Sequence, residues 1–349
     1  MSARRVLVTG ATGRIGSEVA AELRRRGHRV RALVRPGSDA GPLGAAGIEV
    51  ARGDVLDRAS VEAALEGCDA VVHSAGLPSL LAPRRALLEL NAGAVEVVLG
   101  AALAAGVARA VLTSSSAVLG GSRRPRVADE ETTSSADTIG LDYFVSKKRG
   151  EEVGLDLASR GLPLVVVRPA VVIGPGARRG SSADLVLALA RRRVPAYVQG
   201  GASFCDVRDV ARGHAAALER GRPGETYLLG GHNLTLDEFV NRVCRLAGVA
   251  APPRLPVALA LGATRLLALL ARVGGPASPL DERVIRASRL YGFVTSARAQ
   301  RELGYAIRPF EESVRDALRW DVAQGRLDPS TPELRALAAE SPPPAAAAT

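Results

Sequence analysis

The chain has 349 residues, enough for about two domains, and its 47% hydrophobic and 23% charged content is that of a globular protein, which excludes a mainly disordered or fibrous one. The net charge of +10 rests almost wholly on arginine, since Lys147 and Lys148 are the only lysines. The arginines are scattered in short clusters and aromatics make up 3%, whereas a nucleic-acid surface needs a concentrated basic stripe with stacking rings, so no nucleic-acid partner is expected.

The N-terminus runs from Met1 through Arg5 into a short apolar stretch without the long apolar region of a signal peptide, so a cytoplasmic protein is expected. Cys68, Cys205 and Cys244 are far apart and form no C-x-x-C pair, which argues against a disulfide framework and against a metal site. The first predicted strand, Arg5–Val8, meets a loop with Gly10, Thr12, Gly13, Arg14, Ile15 and Gly16 in the pattern G-x-x-G-x-x-G, and a helix over Ile15–Arg26 follows. One glycine permits the tight turn, one lets backbone amides approach a pyrophosphate, and one lets helix and strand pack closely. The helix N-terminus then faces the anion with free donors.

The second strand, His28–Leu33, leads to Val34 and Arg35. An NAD site wants a carboxylate there for the ribose hydroxyls, whereas a guanidinium suits a 2′-phosphate, so NADP(H) is the expected cofactor and NAD the alternative. After the strand Ile48–Ala51 come Asp54, placed for the adenine amino group, and Val55 beside it. A helix over Ser60–Leu65 and a strand over Ala70–His73 lead to Ser74, Ala75 and Gly76, small enough for a cofactor to lie on the backbone. His73 reads as a structural strand-end residue.

A helix over Ala92–Ala105 and a strand over Ala110–Thr113 follow, the strand closing on Ser114-Ser115-Ser116. The next helix, Asp142–Arg160, opens with Tyr143 and Lys147 on one face. A cation near a phenol lowers its pKa, so Tyr143 is expected to exchange protons near neutral pH while a serine holds a substrate oxygen. The strand Leu164–Arg168 ends at Pro169. Apolar strands alternating with helices predict an α/β fold, a doubly wound parallel sheet of the Rossmann type.

Beyond Pro169 the pattern loosens. A helix over Ala183–Arg192, strands over Phe204–Val207 and Thr226–Leu229, and helices over Leu236–Leu246, Val257–Val273 and Phe310–Trp320 are predicted. Residues 1–170, with later strands from about 204–231, are expected to form the dinucleotide-binding domain. Residues 171–203 and 232–327 would form a smaller, mostly helical substrate-binding domain, and 328–349 a loosely ordered tail. The apolar stretch Pro256–Val273 carries Arg265 and Arg272 and is marginal in length for a span. It reads as a core helix, with a pocket lid or a shallow membrane-surface contact as alternatives.

Thr9–Gly16, Gly53-Asp54, His73–Gly76, Asn91, Thr113-Ser114-Ser115, Tyr143-x-x-x-Lys147 and Arg168-Pro169 together resemble the extended short-chain dehydrogenase/reductases of the epimerase/dehydratase superfamily. The resemblance continues in Phe204–Ala211, Tyr227–Gly231 and Glu302–Tyr305. Within the superfamily the chain is most similar to bacterial dihydroflavonol-4-reductase-like proteins, including hopanoid-associated sugar epimerases. The resemblance implies a catalytic set of Ser115, Tyr143 and Lys147, with Ser114 the alternative serine. It implies that Lys147 also binds the nicotinamide ribose and that Asn91 supports an active-site water and the local backbone. Pro169 and Ala170 would lie beside the nicotinamide, and relatives often dimerise through the helices that include Tyr143.

Departures from the superfamily pattern bear on the reaction. Thr113 is followed by Ser114-Ser115 where a 4,6-dehydratase has Asp-Glu, which discounts dehydration. Pro169-Ala170-Val171 and Ala202-Ser203 stand where nucleotide-sugar epimerases hold the sugar diphosphate, leaving Arg178 and Arg179 as substitutes. Three readings follow. The first is an NADP(H)-dependent reductase or dehydrogenase of a ketone or secondary alcohol on a lipophilic or polycyclic small molecule. The second is a sugar epimerase with tightly bound NAD(P), and the third a non-catalytic NADP-binding sensor or scaffold.

Overall fold

Seven short apolar segments line up in parallel and are covered by helices on both faces. The computed structural model describes residues 3–176, 184–272 and 281–340. Its strands are β1 (Arg5–Thr9), β2 (Arg29–Val34), β3 (Glu49–Arg52), β4 (Ala70–His73), β5 (Arg109–Thr113), β6 (Val127–Ala128), β7 (Leu164–Pro169), β8 (Val171–Ile173), β9 (Gly201–Asp206), β10 (Thr226–Leu229), β11 (His232–Thr235) and β12 (Tyr291–Val294). The main sheet has the order β10-β7-β5-β4-β1-β2-β3. The chain turns back at β1, so the crevice between the carboxyl ends of β1 and β4 is the switch point where such sheets bind ligands.

Helices α1 (Arg14–Arg25), α2 (Gly41–Ala45), α3 (Arg58–Leu65), α4 (Arg84–Leu88), α5 (Ala94–Ala104), α6 (Ala136–Ile139), α7 (Asp142–Ser159), α8 (Asp184–Ala190) and α9 (Val207–Arg220) come before β10. The remainder are α10 (Leu236–Ala247), α11 (Val257–Arg272), α12 (Glu282–Ser288), α13 (Ala297–Leu303), α14 (Phe310–Ala323) and α15 (Pro332–Ala338). Alternate strand residues point to opposite faces. Val6 and Val8, Val165 and Val167 pack with α1 and α9, whereas Leu7, Leu164 and Val166 pack with α3, α5 and α7. Both faces of the central strands are therefore dry, which is why those strands read as apolar runs, whereas the edge strand β3 carries Glu49 and Arg52.

A second, five-stranded sheet runs β11-β9-β12-β6, with β8 also on β9. The predicted strand at 204–207 belongs to this sheet and not to the main one, which only β10 joins from that part of the chain. Helices α8, α10 and α14 cover it in a helical C-terminal region. Its core stacks Phe204 on Phe239 at 4.1 Å, with Phe310 edge-on to both.

Two predicted elements differ. The helix expected over 92–105 starts at Arg84 and is interrupted by a π turn over Glu89–Gly93. By length and composition Arg84–Ala104 is the helix able to cross a bilayer among the described residues, but it lies against α3 and α7. The loosely ordered tail does not begin at 328: Thr331 caps α15, Pro332 opens it, and Leu334 and Leu337 are buried against the second core. Thr331 also donates to the Ala247 carbonyl at 2.7 Å, tying α15 to the end of α10. Residues 341–349 of that tail, with Arg178, Arg179 and Val273, lie outside the described residues.

Candidate active site

A cavity of about 500 Å³ opens at the switch point. Of the predicted residues, Gly10, Gly13, Arg14, Ile15, Gly16, Ser74, Ala75, Gly76, Asn91, Ser115, Tyr143, Lys147, Pro169 and Ala170 line it. Thr12, Arg35, Asp54 and Val55 are not among its walls. Arg35 is exposed at the end of β2, Asp54 spends Oδ1 on the Leu56 amide at 3.0 Å, and Val55 is buried in the core. The end of β2 is thus an open edge, and sequence reasoning missed Arg52 there. Its guanidinium donates to the carbonyls of Ser38 (2.8 Å) and Arg35 (3.3 Å), setting a second cation beside Arg35.

The glycine loop is built for close approach. Gly10 has φ +69°, and a Cβ on it would stand 2.7 Å from the Ala75 nitrogen of the neighbouring strand end. A Cβ on Gly16 would stand 2.2 Å from the Gly10 carbonyl oxygen. Gly13 caps α1 without a side-chain hydrogen bond, and no acid sits in the first turn, so the positive helix end faces the cavity unscreened. The buried hydroxyls of Ser74 and Ser114 also line it without a protein partner among the described residues. A backbone cradle, an unneutralised helix end and two spare hydroxyls fit a dinucleotide.

Arg14 plays a different part from the one its place in the loop suggests. It is 8% exposed and donates to the carbonyls of Val172 (2.8 Å) and Gly174 (2.5 Å), stapling the glycine loop to β8 and the residue just beyond it. Burial pushes its pKa down to about 10, so it stays a cation at neutral pH.

Tyr143 and Lys147 project from α7 as their spacing predicts. The Ser115 hydroxyl lines the cavity with the Tyr143 phenol and favours its ionised form, an influence Ser114 does not exert. Ser115 also accepts from the Ala117 amide at 3.1 Å, fixing its rotamer. The expected lowering of the phenol's pKa is not found in this state. Burial raises it, outweighing the influence of Ser115, and Lys147 donates to the Thr113 carbonyl at 2.9 Å. Tyr143 is therefore a phenol at neutral pH, set to donate a proton. Burial lowers the Lys147 ammonium to about 8, against the pull of Glu151.

Asn91 sits in the π turn, and its side chain is fully used. Oδ1 accepts from the Leu77 amide (2.8 Å), while Nδ2 donates to the Leu77 carbonyl (3.1 Å) and the Ser146 hydroxyl (3.0 Å). It clamps the loop that forms one cavity wall. Its carbonyl lies so near α7 that a Cβ on Gly150 would stand 1.8 Å away. π turns inside helices recur at functional sites.

Two buried histidines flank the site. His73 pairs with the Thr9 hydroxyl at 2.8 Å, and burial plus the Lys147 charge hold it at about 3. His214 of α9, which sequence reasoning missed, holds the Thr113 hydroxyl at 2.9 Å and the Val210 carbonyl at 2.8 Å. Burial holds it at about 4, so Nδ1 donates to Val210 and Nε2 accepts from Thr113. Its signal was thin, a lone histidine on an alanine-rich helix. Among the described residues no group of three or more His, Cys, Asp or Glu side chains is arranged to hold a metal ion.

A family model described as the NAD dependent epimerase/dehydratase family matches residues 6–230. The chain is 32% identical over 324 residues to a Synechocystis sp. protein provisionally named dihydroflavonol 4-reductase, covering 90% of this chain and 93% of that one. It is 32% identical over 341 residues to sterol demethylase protein B of Methylococcus capsulatus, covering 92% and 99%. It is 31% identical over 322 residues to 4-hydroxy-2-methyl-3-oxo-4-farnesyl-3,4-dihydroquinoline-1-oxide ketoreductase of Stigmatella aurantiaca, covering 90% and 96%. Among solved structures, gox2253 matches with a TM-score of 0.82 at 36% identity, covering 93% and 100%. MoeE5 in complex with UDP-glucuronic acid and NAD matches with a TM-score of 0.70 at 26% identity, covering 92% and 99%.

Proposed function

Because the chain belongs to the NAD dependent epimerase/dehydratase family and so is an NAD(P)-dependent enzyme, we propose that it is an NADP(H)-dependent oxidoreductase interconverting a ketone and a secondary alcohol on a lipophilic or polycyclic small molecule. The observation that carries this is the meeting of Ser115, Tyr143 and Lys147 at one cavity beside the glycine cradle. A bound nicotinamide dinucleotide supplies or takes the hydride at the carbonyl carbon. In the reductive direction Tyr143 gives its phenolic proton to the oxygen as the alcohol forms. Ser115 orients that oxygen, and the Lys147 ammonium holds the ribose and stabilises the phenolate left behind. Gly10, Gly13, Ile15 and Gly16 would hold the pyrophosphate, Ser74, Ala75, Gly76, Pro169 and Ala170 would flank the dinucleotide, and Asn91 keeps the Leu77 wall in place. The relatives named for a sterol enzyme and a farnesyl-quinoline ketoreductase support a lipophilic, ring-bearing substrate. The same reading has residues 171–203 and 232–327 recognise the substrate, and has the enzyme act in the cytoplasm as a homodimer.

The likeness to MoeE5, which holds UDP-glucuronic acid and NAD, supports a second reading in which the substrate is a nucleotide sugar and the protein a sugar epimerase with retained NAD(P). That enzyme class must grip a diphosphate, best by a bidentate arginine. Ser203, at the expected place, is buried and accepts the Gly231 amide at 2.9 Å. Arg208 and Arg308 are engaged with Asp206 and Asp209. Titrating stripped protein by calorimetry separates the readings. NADPH is expected to bind at least tenfold more tightly than NADH (about 1.4 kcal/mol), and Arg35→Ala with Arg52→Ala is expected to erase the preference. NAD retained through purification would favour the epimerase.

The pH profile follows from Lys147. A lysine whose pKa is depressed to about 8 loses its charge as pH rises through that value. Ketone reduction, followed as kcat/KM, is therefore expected to fall above about pH 8, and in Lys147→Met the residual rate should show no such limb. A parent profile flat to well beyond that range would refute the role of the ammonium.

A further inference from the structure

Lys147 and Glu151 lie one turn apart on α7, and both are buried, at 9% and 6% exposure. A carboxylate taken out of water is costly unless partnered. Glu151 is held by a fork from β7. Arg168 Nε donates to Oε2 at 3.0 Å and Nη2 to Oε1 at 2.5 Å. Such a bidentate pair fixes the carboxylate in direction as well as place. Arg168 is followed directly by Pro169 and Ala170 of the cavity wall. The pair therefore ties α7 to the strand whose end forms that wall.

We propose that Glu151 is the positioning residue for Lys147: its carboxylate, locked by Arg168, places a fixed buried negative charge one helical turn from the amine and keeps that amine an ammonium at the cavity. This deepens the oxidoreductase reading and rests on it for the word positioning. The other groups facing the amine do not supply that charge. They are the Thr113 carbonyl on β5, the neutral His73 on β4 and the protonated Tyr143 on α7. The Lys148 amine, with Asp137 and Glu152, belongs to the outer face of α7.

The chain holds just two lysines, which makes a direct test practicable. In a Lys148→Arg background, protein grown on lysine carrying ¹³C at Cε has one side-chain lysine resonance, and its titration needs neither substrate nor turnover. The parent midpoint is expected near 8. Glu151→Gln should lower it by about one pH unit, tenfold in proton affinity. Arg168→Gln should raise it, because Glu151 then acts without a neutralising neighbour. Opposite signs are the signature, since loosened packing alone would move both variants the same way. The double variant Glu151→Gln/Arg168→Gln keeps two amides able to bond across the same gap, and its midpoint should also fall, which covers misfolding of either single variant. A midpoint unmoved in Glu151→Gln or in the double variant, or moved alike in the two single variants, overturns the proposal. Turnover of Tyr143→Phe tests the underlying reading separately. Shifted midpoints with Tyr143→Phe still active would leave the charge device standing and remove the mechanism it serves. Unmoved midpoints with Tyr143→Phe inactive would do the reverse.

Discussion

Tyr143→Phe is expected to cut turnover by about 10²–10⁴-fold, the usual worth of a positioned proton donor, with cofactor affinity nearly unchanged. The substitution removes one oxygen and keeps the ring, which packs edge-on to Phe144 at 6.2 Å. What is lost is the hydroxyl beside Ser115, a group that burial keeps protonated at neutral pH. Ketone reduction followed through NADPH consumption checks the first expectation, and calorimetry with NADPH checks the second. Full activity in the variant would sink the assigned mechanism, whichever substrate is used.

The second large effect is on stability. Gly150→Ala would put a methyl group 1.8 Å from the Asn91 carbonyl oxygen and 2.9 Å from its carbon. Both neighbours are backbone, on one side the π turn and on the other α7, so neither yields as a side-chain tip would. Overpacking usually costs about 1–3 kcal/mol, and this case is expected at or above the top of that range. Because the same Asn91 clamps Leu77 at the cavity wall, cofactor affinity should fall too. Gly93→Ala is the control: it lies in the same π turn, a Cβ there meets nothing within 4 Å, and it should be neutral or slightly stabilising. Urea unfolding of the two variants decides the matter, and equal midpoints would show that the two helices part easily.

The strands of the main sheet and the glycine loop were legible because their signals are local. An apolar run bounded by turn residues, or glycines three apart, needs nothing from the rest of the chain. The pair Tyr143 and Lys147 was legible for the same reason, being one helical turn apart. Arg14 and Arg52 were not, since a guanidinium's use depends on which carbonyls the fold brings to it. Arg14 meets Val172 and Gly174, 158 and 160 positions away. His214 and Glu151 matter through Thr113 and Arg168, contacts that exist only once α9, α7, β5 and β7 have packed. The π turn left no mark at Asn91 itself, and Gly150, the residue that admits it, lies on another helix. α15 could have been found, for Thr331, Pro332, Leu334 and Leu337 make a cap, a first-turn proline and an apolar pair. The proline- and alanine-rich residues after it drew the boundary too early.

Arg14 joins two surfaces that catalysis needs at different moments. One end of its staple is the loop that would receive the pyrophosphate, and the other is β8 and Gly174 just beyond it, with Val172 in the cavity wall. A wall hung from that loop keeps a fixed relation to it. Removing the guanidinium in Arg14→Gln is therefore expected to weaken the hold on nucleotide and on organic substrate together, because one side chain sets both sides of the room.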